Sequence, residues 1–185
     1  YFFIAYYMAA PDFAAGGAID PVRAAQHRPL LLVIYCLMIV GFGAKAGMVP
    51  MQAWLPAAHP VAPAPASAVL SGVVAVIRVT YYMFGPEFLA GSWPQYVLLT
   101  LALATVFVGS MLAYREKLLK RRLAYSTVSN LSYILFAAAL MTTQALAASF
   151  LHLIVHSVVK IMAFFTAGAV LHYAHREYVP QLEGL

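Results

Sequence analysis

Charged side chains are scarce in this sequence. Only 9% of its 185 residues are Asp, Glu, Lys or Arg, whereas a soluble domain has about 25%. Hydrophobic residues make up 64% of the chain, which is more apolar surface than a soluble domain of this size can bury. Intrinsic disorder is excluded as well, because disordered segments are poor in hydrophobic residues. The composition is that of a polytopic membrane protein.

Cysteine is nearly absent too. The single cysteine, Cys36, lies in an apolar run, so a disulfide scaffold and a cysteine-ligated cluster are excluded. The sequence has no glycine-rich dinucleotide loop and no Walker motif. We therefore expect no cofactor and no metal in this chain, and any redox chemistry would belong to another subunit.

Five apolar stretches predict membrane-spanning helices, each of which needs about 20 residues. They cover 30–54, 66–84, 96–114, 124–141 and 145–173. The first and last exceed one crossing, so we expect them to tilt, bend or break. Residues 1–10 are apolar and do not begin with Met. We interpret them as the end of a further helix, and the chain as a fragment.

The placement of Lys and Arg predicts the orientation. One loop carries five of them, namely Arg115, Lys117, Lys120, Arg121 and Arg122. The positive-inside rule puts this loop in the cytoplasm and the loop 11–29 outside. The cluster either sets the topology alone or also binds anionic lipids. We expect a multi-pass protein of a bacterial or archaeal cytoplasmic membrane, in contact with lipid and without a nucleic-acid partner.

Three further cations, Lys45, Arg78 and Lys160, lie within predicted spans. A central Lys or Arg costs at least about 2.5 kcal/mol on insertion scales, so each needs a reason. Arg78 lies near the outer end of its span beside Tyr81 and Tyr82. Its guanidinium either extends to the interface, which a long side chain permits, or has a function.

Lys45 lies between Gly43 and Gly47, and Pro50 follows. Glycine lets a backbone unwind and proline lacks an N–H, so this stretch predicts a broken helix with an ammonium at the break. Broken helices in membranes line protein or water-filled cavities and often form ion sites. The alternative is that the two glycines form a helix-packing face.

Lys160 shares a stripe with two histidines. His152, His156 and Lys160 are spaced four residues apart, so they lie along one face of a helix. The spacing would suit a metal, but no carboxylate is near in sequence, and we do not expect one. A neutral histidine both donates and accepts, so such a row can pass protons through water. The alternative is structural polar packing.

Other polar residues have simpler interpretations. Ser126 and Thr127 are expected to cap a helix or to bond back to its carbonyls. We expect Ser129, Asn130 and Ser132 to make interhelical hydrogen bonds.

Three motifs carry a resemblance to a known family. The first is Gly41-Phe42-Gly43-Ala44-Lys45-Ala46-Gly47-Met48-Val49-Pro50 with the proline-rich stretch after it; the second is 119–129; the third is His152-x3-His156-x3-Lys160. Together they resemble the antiporter-like membrane subunits of respiratory complex I, membrane-bound hydrogenases and Mrp sodium/proton antiporters. The match extends over about 41–172, most of the chain.

The resemblance implies an all-α, inverted-repeat transmembrane bundle. Residues of about 1–84 would end the first repeat, and residues of about 94–185 would begin the second. Lys45 would match the lysine of the first repeat's broken helix. His152, His156 and Lys160 would match the relay that joins the two halves. The glutamate partner of the first lysine would lie upstream of this chain.

One position departs from the family pattern. Family members usually carry a Lys, or a His slightly earlier, in the helix after the first motif, and an ungapped alignment puts Val76 at the lysine position. About six residues missing before Ala75 is the other explanation. Arg78 is a poor substitute, because a guanidinium does not deprotonate.

The predicted function is proton translocation within a redox-driven complex of the NADH:quinone oxidoreductase or hydrogenase type. Lys45, Lys160, His152 and His156 would carry the protons, and the partners would be other membrane subunits. The chain would then belong to a translocase without holding a redox site. The alternatives are an Mrp-type subunit that exchanges sodium for protons, and a structural subunit impaired in pumping.

Overall fold

The structure is a computed structural model that describes residues 7, 9–14, 17–58 and 66–182, without the side chains of 57, 58 and 66–71. Within these ranges the chain is helical and contains no β-strand, only two isolated β-bridges. The prediction of an all-α fold is confirmed.

Eight α-helices follow one another in the described ranges, and one of them continues as a π-helix. They are α1 (Pro21–Gln26), α2 (Arg28–Ala46), α3 (Trp54–Ala58), α4 (Ala66–Arg78, continued by the π-helix Val79–Phe84), α5 (Pro86–Leu89), α6 (Trp93–Arg115), α7 (Leu119–Ala139) and α8 (Thr143–Ala174); a 3-10 helix, Val179–Leu182, comes last.

The long helices coincide with the predicted spans. Helices α2, α6 and α8 are long and apolar enough to cross a membrane, and Gly72–Phe84 is a shorter apolar helix. Helix α7 covers the fourth predicted span, but its first turn carries Lys120, Arg121 and Arg122. Helix α2 ends at Ala46, eight residues earlier than predicted. Residues 1–6 lie outside the described part of the chain.

Local sequence explains where these helices begin and end. The Asp20 carboxylate accepts the Val22 N–H at 3.0 Å and caps α1, and the Thr142 hydroxyl accepts the Ala145 N–H at 3.2 Å and caps α8. A proline lies in the first turn of α6, where no N–H is needed. Gly47 ends α2 with a φ of 76°, a left-handed conformation that glycine adopts without steric cost.

Helix packing places α7 against both α6 and α8, and α4 against α2. Helix α4 also contacts α7 and α8, so it joins the two groups. The core contains large buried side chains such as Tyr35, Leu98, Leu131 and Ile134. The outer faces are apolar as well, and Phe165 on α8 is 76% exposed. Apolar side chains on both the inner and the outer faces are typical of helices that lie in lipid.

A short backbone pairing joins the loop before α7 to the segment after α8. Leu118 and Tyr178 form an antiparallel bridge. The Leu119 N–H donates to the Glu177 carbonyl at 3.0 Å, and the Val179 N–H donates to the Lys117 carbonyl at 2.9 Å. The start of α7 and the end of α8 are therefore tied together.

Candidate proton-relay site

Lys160 is buried in the interface between α7 and α8. Its side chain is only 6% exposed. The ammonium donates to the Leu123 carbonyl at 3.0 Å and to the Ser126 hydroxyl, both on α7. A buried charge is costly unless it is paired or hydrogen-bonded, and here two neutral oxygen atoms supply the bonds.

The Leu123 carbonyl is shared by several donors. The Ser126 hydroxyl donates to it at 3.0 Å and the Thr127 hydroxyl at 2.9 Å, in addition to Lys160. Ser126 and Thr127 thus bond back to a helix carbonyl, as predicted from their position in α7. This cluster of dipoles compensates the lysine charge without a carboxylate.

The two histidines lie on the turns of α8 before Lys160, as the spacing predicts. His156 is 6% exposed. The His152 and His156 rings stack with their centroids 6.1 Å apart and an interplanar angle of 9°. The three side chains therefore form one polar stripe along a helix whose other faces are apolar.

His152 has an unused polar atom. Its Nε2 is buried and has no hydrogen-bond partner among the described residues. The Tyr133 ring on α7 lies edge-on to the imidazole, with the centroids 6.4 Å apart. Buried polar atoms are nearly always hydrogen-bonded, so this nitrogen is an exception among the described residues.

Lys45 lies one residue before the end of α2, and its side chain is exposed. A lysine in the last turn of a helix interacts favourably with the helix dipole. Beyond Gly47 the chain is irregular until α3 begins at Trp54. The interruption therefore follows Lys45 directly; a second membrane-crossing half of this helix stays a prediction.

Three contacts hold the segment after Lys45. The Trp54 indole donates to the Ala44 carbonyl at 2.8 Å, and the Val49 N–H donates to the Thr105 hydroxyl on α6 at 3.0 Å. Gly72 on α4 lies so close that a Cβ there would be 2.7 Å from the Ala46 nitrogen and 2.9 Å from the Lys45 carbonyl carbon. The backbone around Lys45 is thus fixed by α3, α4 and α6.

Helix α4 lies between Lys45 and the polar stripe on α8, and its residues 72–77 are apolar. Helix α4 packs against both α2 and α8, and Val73, Val76 and Ile77 on it are at most 3% exposed. Val76, which an ungapped alignment puts at the family's lysine position, is thus a buried apolar side chain. Arg78 at the end of α4 is exposed, as expected for a side chain that reaches the interface.

Acidic partners are lacking within the described spans. The two ion pairs of the described residues, Arg23–Asp20 at 4.0 Å and Arg121–Glu116 at 3.7 Å, lie in loops or at helix ends. In the same part of the chain no group of three His, Cys, Asp or Glu side chains could hold a metal ion.

Some polar residues do not have the predicted role. Ser129 does make an interhelical bond, with Ser110 on α6 at 2.8 Å. The predictions for Asn130 and Ser132 were wrong, because their side chains donate to Ser126 and Val128 carbonyls of their own helix at 2.7 and 2.9 Å. The sequence analysis did not predict the contact between Ser126 and Lys160. The polar side chains spaced along α7 could have indicated that this helix faces the lysine.

The described helices, apolar on their outer faces and with the Lys160 ammonium and the His156 imidazole buried between them, are those of a polytopic membrane protein. A family model described as "NADH:quinone oxidoreductase/Mrp antiporter, TM" matches residues 12–185. The chain belongs to this family of antiporter-like integral membrane subunits.

Individual relatives agree with this assignment. The chain is 33% identical over 172 residues to "Hydrogenase-4 component B" of Escherichia coli strain K12. The matched region covers 84% of this chain and 26% of that protein. A solved archaeal complex, the membrane-bound sulfane sulfur reductase, matches with a TM-score of 0.68 and 26% identity, over 95% of this chain and 31% of the matched chain. The Mrp complex from Dietzia sp. DQ12-45-1b matches in fold, with a TM-score of 0.64 and 22% identity, over 91% and 32% of the two chains.

The chain spans about a quarter to a third of the length of the curated relatives it matches. By their names, the hydrogenase relative is a component of a larger assembly, and the solved neighbours belong to an Mrp complex and to an archaeal respiratory membrane complex. These matches agree with the predicted family, the transmembrane fold and the membrane location.

Proposed function

We propose that this chain is part of a proton-translocating membrane subunit in a redox-driven complex of the NADH:quinone oxidoreductase or membrane-bound hydrogenase type. Lys160, His156 and His152 would form its relay, and Lys45 would be a second proton-carrying group. The partners would be other membrane subunits of the assembly, and the chain itself would need no cofactor.

The observation that carries this proposal is the setting of Lys160. Its amine is buried and bonded to a carbonyl and a hydroxyl, with no carboxylate among the described residues that would fix its charge. A lysine held in this way can exist with or without its proton, because each state keeps a hydrogen-bond partner in the hydroxyl. A permanent ion pair would instead favour the charged state alone.

The stacked histidines extend the path from Lys160. A proton that leaves the amine can reach His156 and then His152 through ordered water, since neutral imidazole accepts at one nitrogen and donates at the other. The Nε2 of His152 has no hydrogen-bond partner among the described residues, so it would be free to give or take the proton at the end of the row. A charge change in a neighbouring subunit would drive the transfer.

The test replaces Lys160 in the full-length protein within its native complex. Lys160→Ala should abolish proton translocation in membrane vesicles while electron transfer and assembly persist. Lys160→Arg should also fail, because guanidinium keeps its proton. Lys120→Ala, which removes a half-buried lysine at the start of α7, is the matched control and should translocate normally. An unchanged proton-to-electron ratio in both Lys160 variants would contradict the proposal.

Lys45 and the division into repeats belong to the same proposal. Residues of about 1–84 would end one repeat and residues of about 94–185 would begin the next, with the apolar part of α4 near the boundary. Lys45 would receive its counter-charge from a carboxylate outside the described residues. Lys45→Ala should then reduce translocation as strongly as Lys160→Ala.

An Mrp-type antiporter subunit is the second candidate, because the matching family description names both assemblies. It would exchange sodium for protons without a redox partner. Translocation that requires sodium and continues without an electron donor would favour this function over the first.

A structural role with impaired pumping is the third candidate, and the buried Val76 favours it. An apolar side chain interrupts the polar path between Lys45 and Lys160 unless water crosses there. Val76→Lys in the full-length protein should raise proton flux if the interruption limits it, whereas Val74→Lys at an exposed position of α4 should not.

A further inference from the structure

A buried threonine on α6 meets the irregular segment that follows Lys45. Thr105 is 0% exposed, and its hydroxyl accepts the Val49 N–H at 3.0 Å. The same hydroxyl donates its hydrogen to the Leu101 carbonyl of α6 at 2.6 Å. A hydroxyl has one hydrogen to donate and two lone pairs, so the bond to Leu101 fixes its rotation and leaves its oxygen to accept from Val49.

The Val49 N–H is the donor that the Lys45 carbonyl would receive in a continuous helix, because each N–H of an α-helix bonds to the carbonyl four residues earlier. Here the Met48 N–H reaches back to the Gly43 carbonyl at 2.9 Å, which is how a helix closes at a left-handed glycine. The next N–H, that of Val49, leaves the helix and bonds to Thr105. Thr105 thus pairs the first backbone N–H that has no partner in α2.

This bond has no equivalent elsewhere along the segment. Among the described residues, Thr105 has the only side chain that bonds to the backbone of 47–53. The Trp54 indole bonds to the Ala44 carbonyl, which precedes Lys45. An unpaired backbone N–H is costly at membrane depth. Without the Thr105 hydroxyl, Val49 would therefore turn to another acceptor, and helix geometry offers the Lys45 carbonyl.

Helix α6 gives Thr105 a fixed position. Leu98, Ala102 and Thr105 are each at most 1% exposed, so they lie on the packed face of α6. Five residues beyond Thr105, the Ser110 hydroxyl is bonded to the Ser129 hydroxyl of α7 at 2.8 Å. A polar group on a well-packed helix is held more precisely than one on a loop. The end of α2 is therefore fixed relative to α7 as well as to α6.

We propose that Thr105 is the positioning residue for Lys45. Its hydroxyl takes the Val49 N–H, which keeps the chain from continuing α2 past Gly47 and holds Lys45 in one place at the break. A proton transfer needs its groups within hydrogen-bond reach, so Thr105 sets the rate at which Lys45 exchanges its proton. This role rests on the proposed function of Lys45.

Proton flux tests the hydroxyl, with the full-length protein in its native complex in membrane vesicles. Thr105→Val keeps the shape without the hydroxyl and should slow translocation about tenfold, while electron transfer and assembly persist. Thr105→Ser keeps the hydroxyl and should retain most of the flux. Thr100→Val is the matched control and should translocate normally, because the exposed Thr100 hydroxyl bonds to the Val97 carbonyl of its own helix. Equal losses in Thr105→Ser and Thr105→Val would refute the role of the hydroxyl.

Hydrogen exchange in the same complexes tests the bond itself, because backbone amides report the local stability of the segment. In Thr105→Val the amides of 47–49 should exchange about tenfold faster than in the unsubstituted protein. Thr105→Ser and Thr100→Val should leave that exchange unchanged. Unchanged exchange in Thr105→Val would refute the bond, and faster exchange with normal proton flux would refute the positioning role.

The two proposals fail separately. If Lys45→Ala translocates protons normally, the proposed function of Lys45 is wrong, whatever the Thr105 variants do. If Lys45→Ala reduces translocation but Thr105→Val pumps as well as Thr100→Val, only the positioning role is wrong.

Discussion

The close approach of α4 to α2 at Gly72 gives a sharp test of how Lys45 is positioned. Gly72 on α4 faces the last residues of α2, and a Cβ on it would lie 2.7 Å from the Ala46 nitrogen and 3.0 Å from the Ala46 Cα. Both atoms belong to the backbone, so no side-chain rotation can relieve the overlap. The substitution Gly72→Ala must move one helix.

The size of the effect follows from these distances. Ordinary contact begins at 3.4 Å, so the two backbones must separate by about 0.7 Å. Overpacking of this kind costs about 1–3 kcal/mol of stability. The movement acts on the carbonyl carbon of Lys45 itself, and a displacement of about 1 Å can lower the rate of a positioned reaction by about 100-fold.

The assay measures thermal inactivation of the purified complex and proton flux in vesicles. Gly72→Ala should lower both the inactivation temperature and the flux. Gly41→Ala on α2 and Gly168→Ala on α8 are matched controls, because no atom outside their own helices lies within 4 Å of either Cβ. If Gly72→Ala is as stable and as active as these controls, the close approach of α4 to Lys45 does not exist.

Three further perturbations have defined outcomes. Gly109→Ala on α6 would bring a Cβ to 3.1 Å from the Ser129 nitrogen; it should lower thermal stability by about 1 kcal/mol and more than Gly168→Ala does. Tyr35→Phe removes the hydroxyl that is bonded to Thr80 at 3.0 Å and should cost about 1 kcal/mol in thermal stability, whereas Tyr82→Phe at a 64% exposed position should cost nothing measurable; equal effects would rule out the buried bond. Trp54→Phe removes the bond to the Ala44 carbonyl and should speed hydrogen exchange of the backbone around Lys45, while Trp93→Phe at the start of α6 should leave that exchange unchanged.

Much of the fold could be predicted because lipid imposes a simple rule. Apolar runs long enough to span become helices, and the runs that became α2, α4, α6, α7 and α8 were recognisable from hydropathy alone. The exact end of α2 was not, because apolar residues continue to Trp54. Helix α2 ends where Gly47 adopts a left-handed conformation. The sequence alone does not reveal which conformation a glycine adopts.

The candidate site was predictable along one helix but not across two. Four-residue spacing placed His152, His156 and Lys160 on one face, since helical periodicity is a local property. The partners of Lys160 depend on how α7 is rotated against α8, which no local pattern determines. Asn130 illustrates the same limit, because its amide bonds its own helix instead of a neighbour.

The backbone pairing between Leu118 and Tyr178 has a mechanical consequence. Helices α7 and α8 are joined by a tight turn at one end and by this pairing at the other. The two connections oppose sliding of one helix along the other. If the surrounding helices rearrange, α7 and α8 would move together as one rigid pair. The lysine–serine contact inside it would keep its register through such a movement, and the hinges of the subunit would have to lie elsewhere.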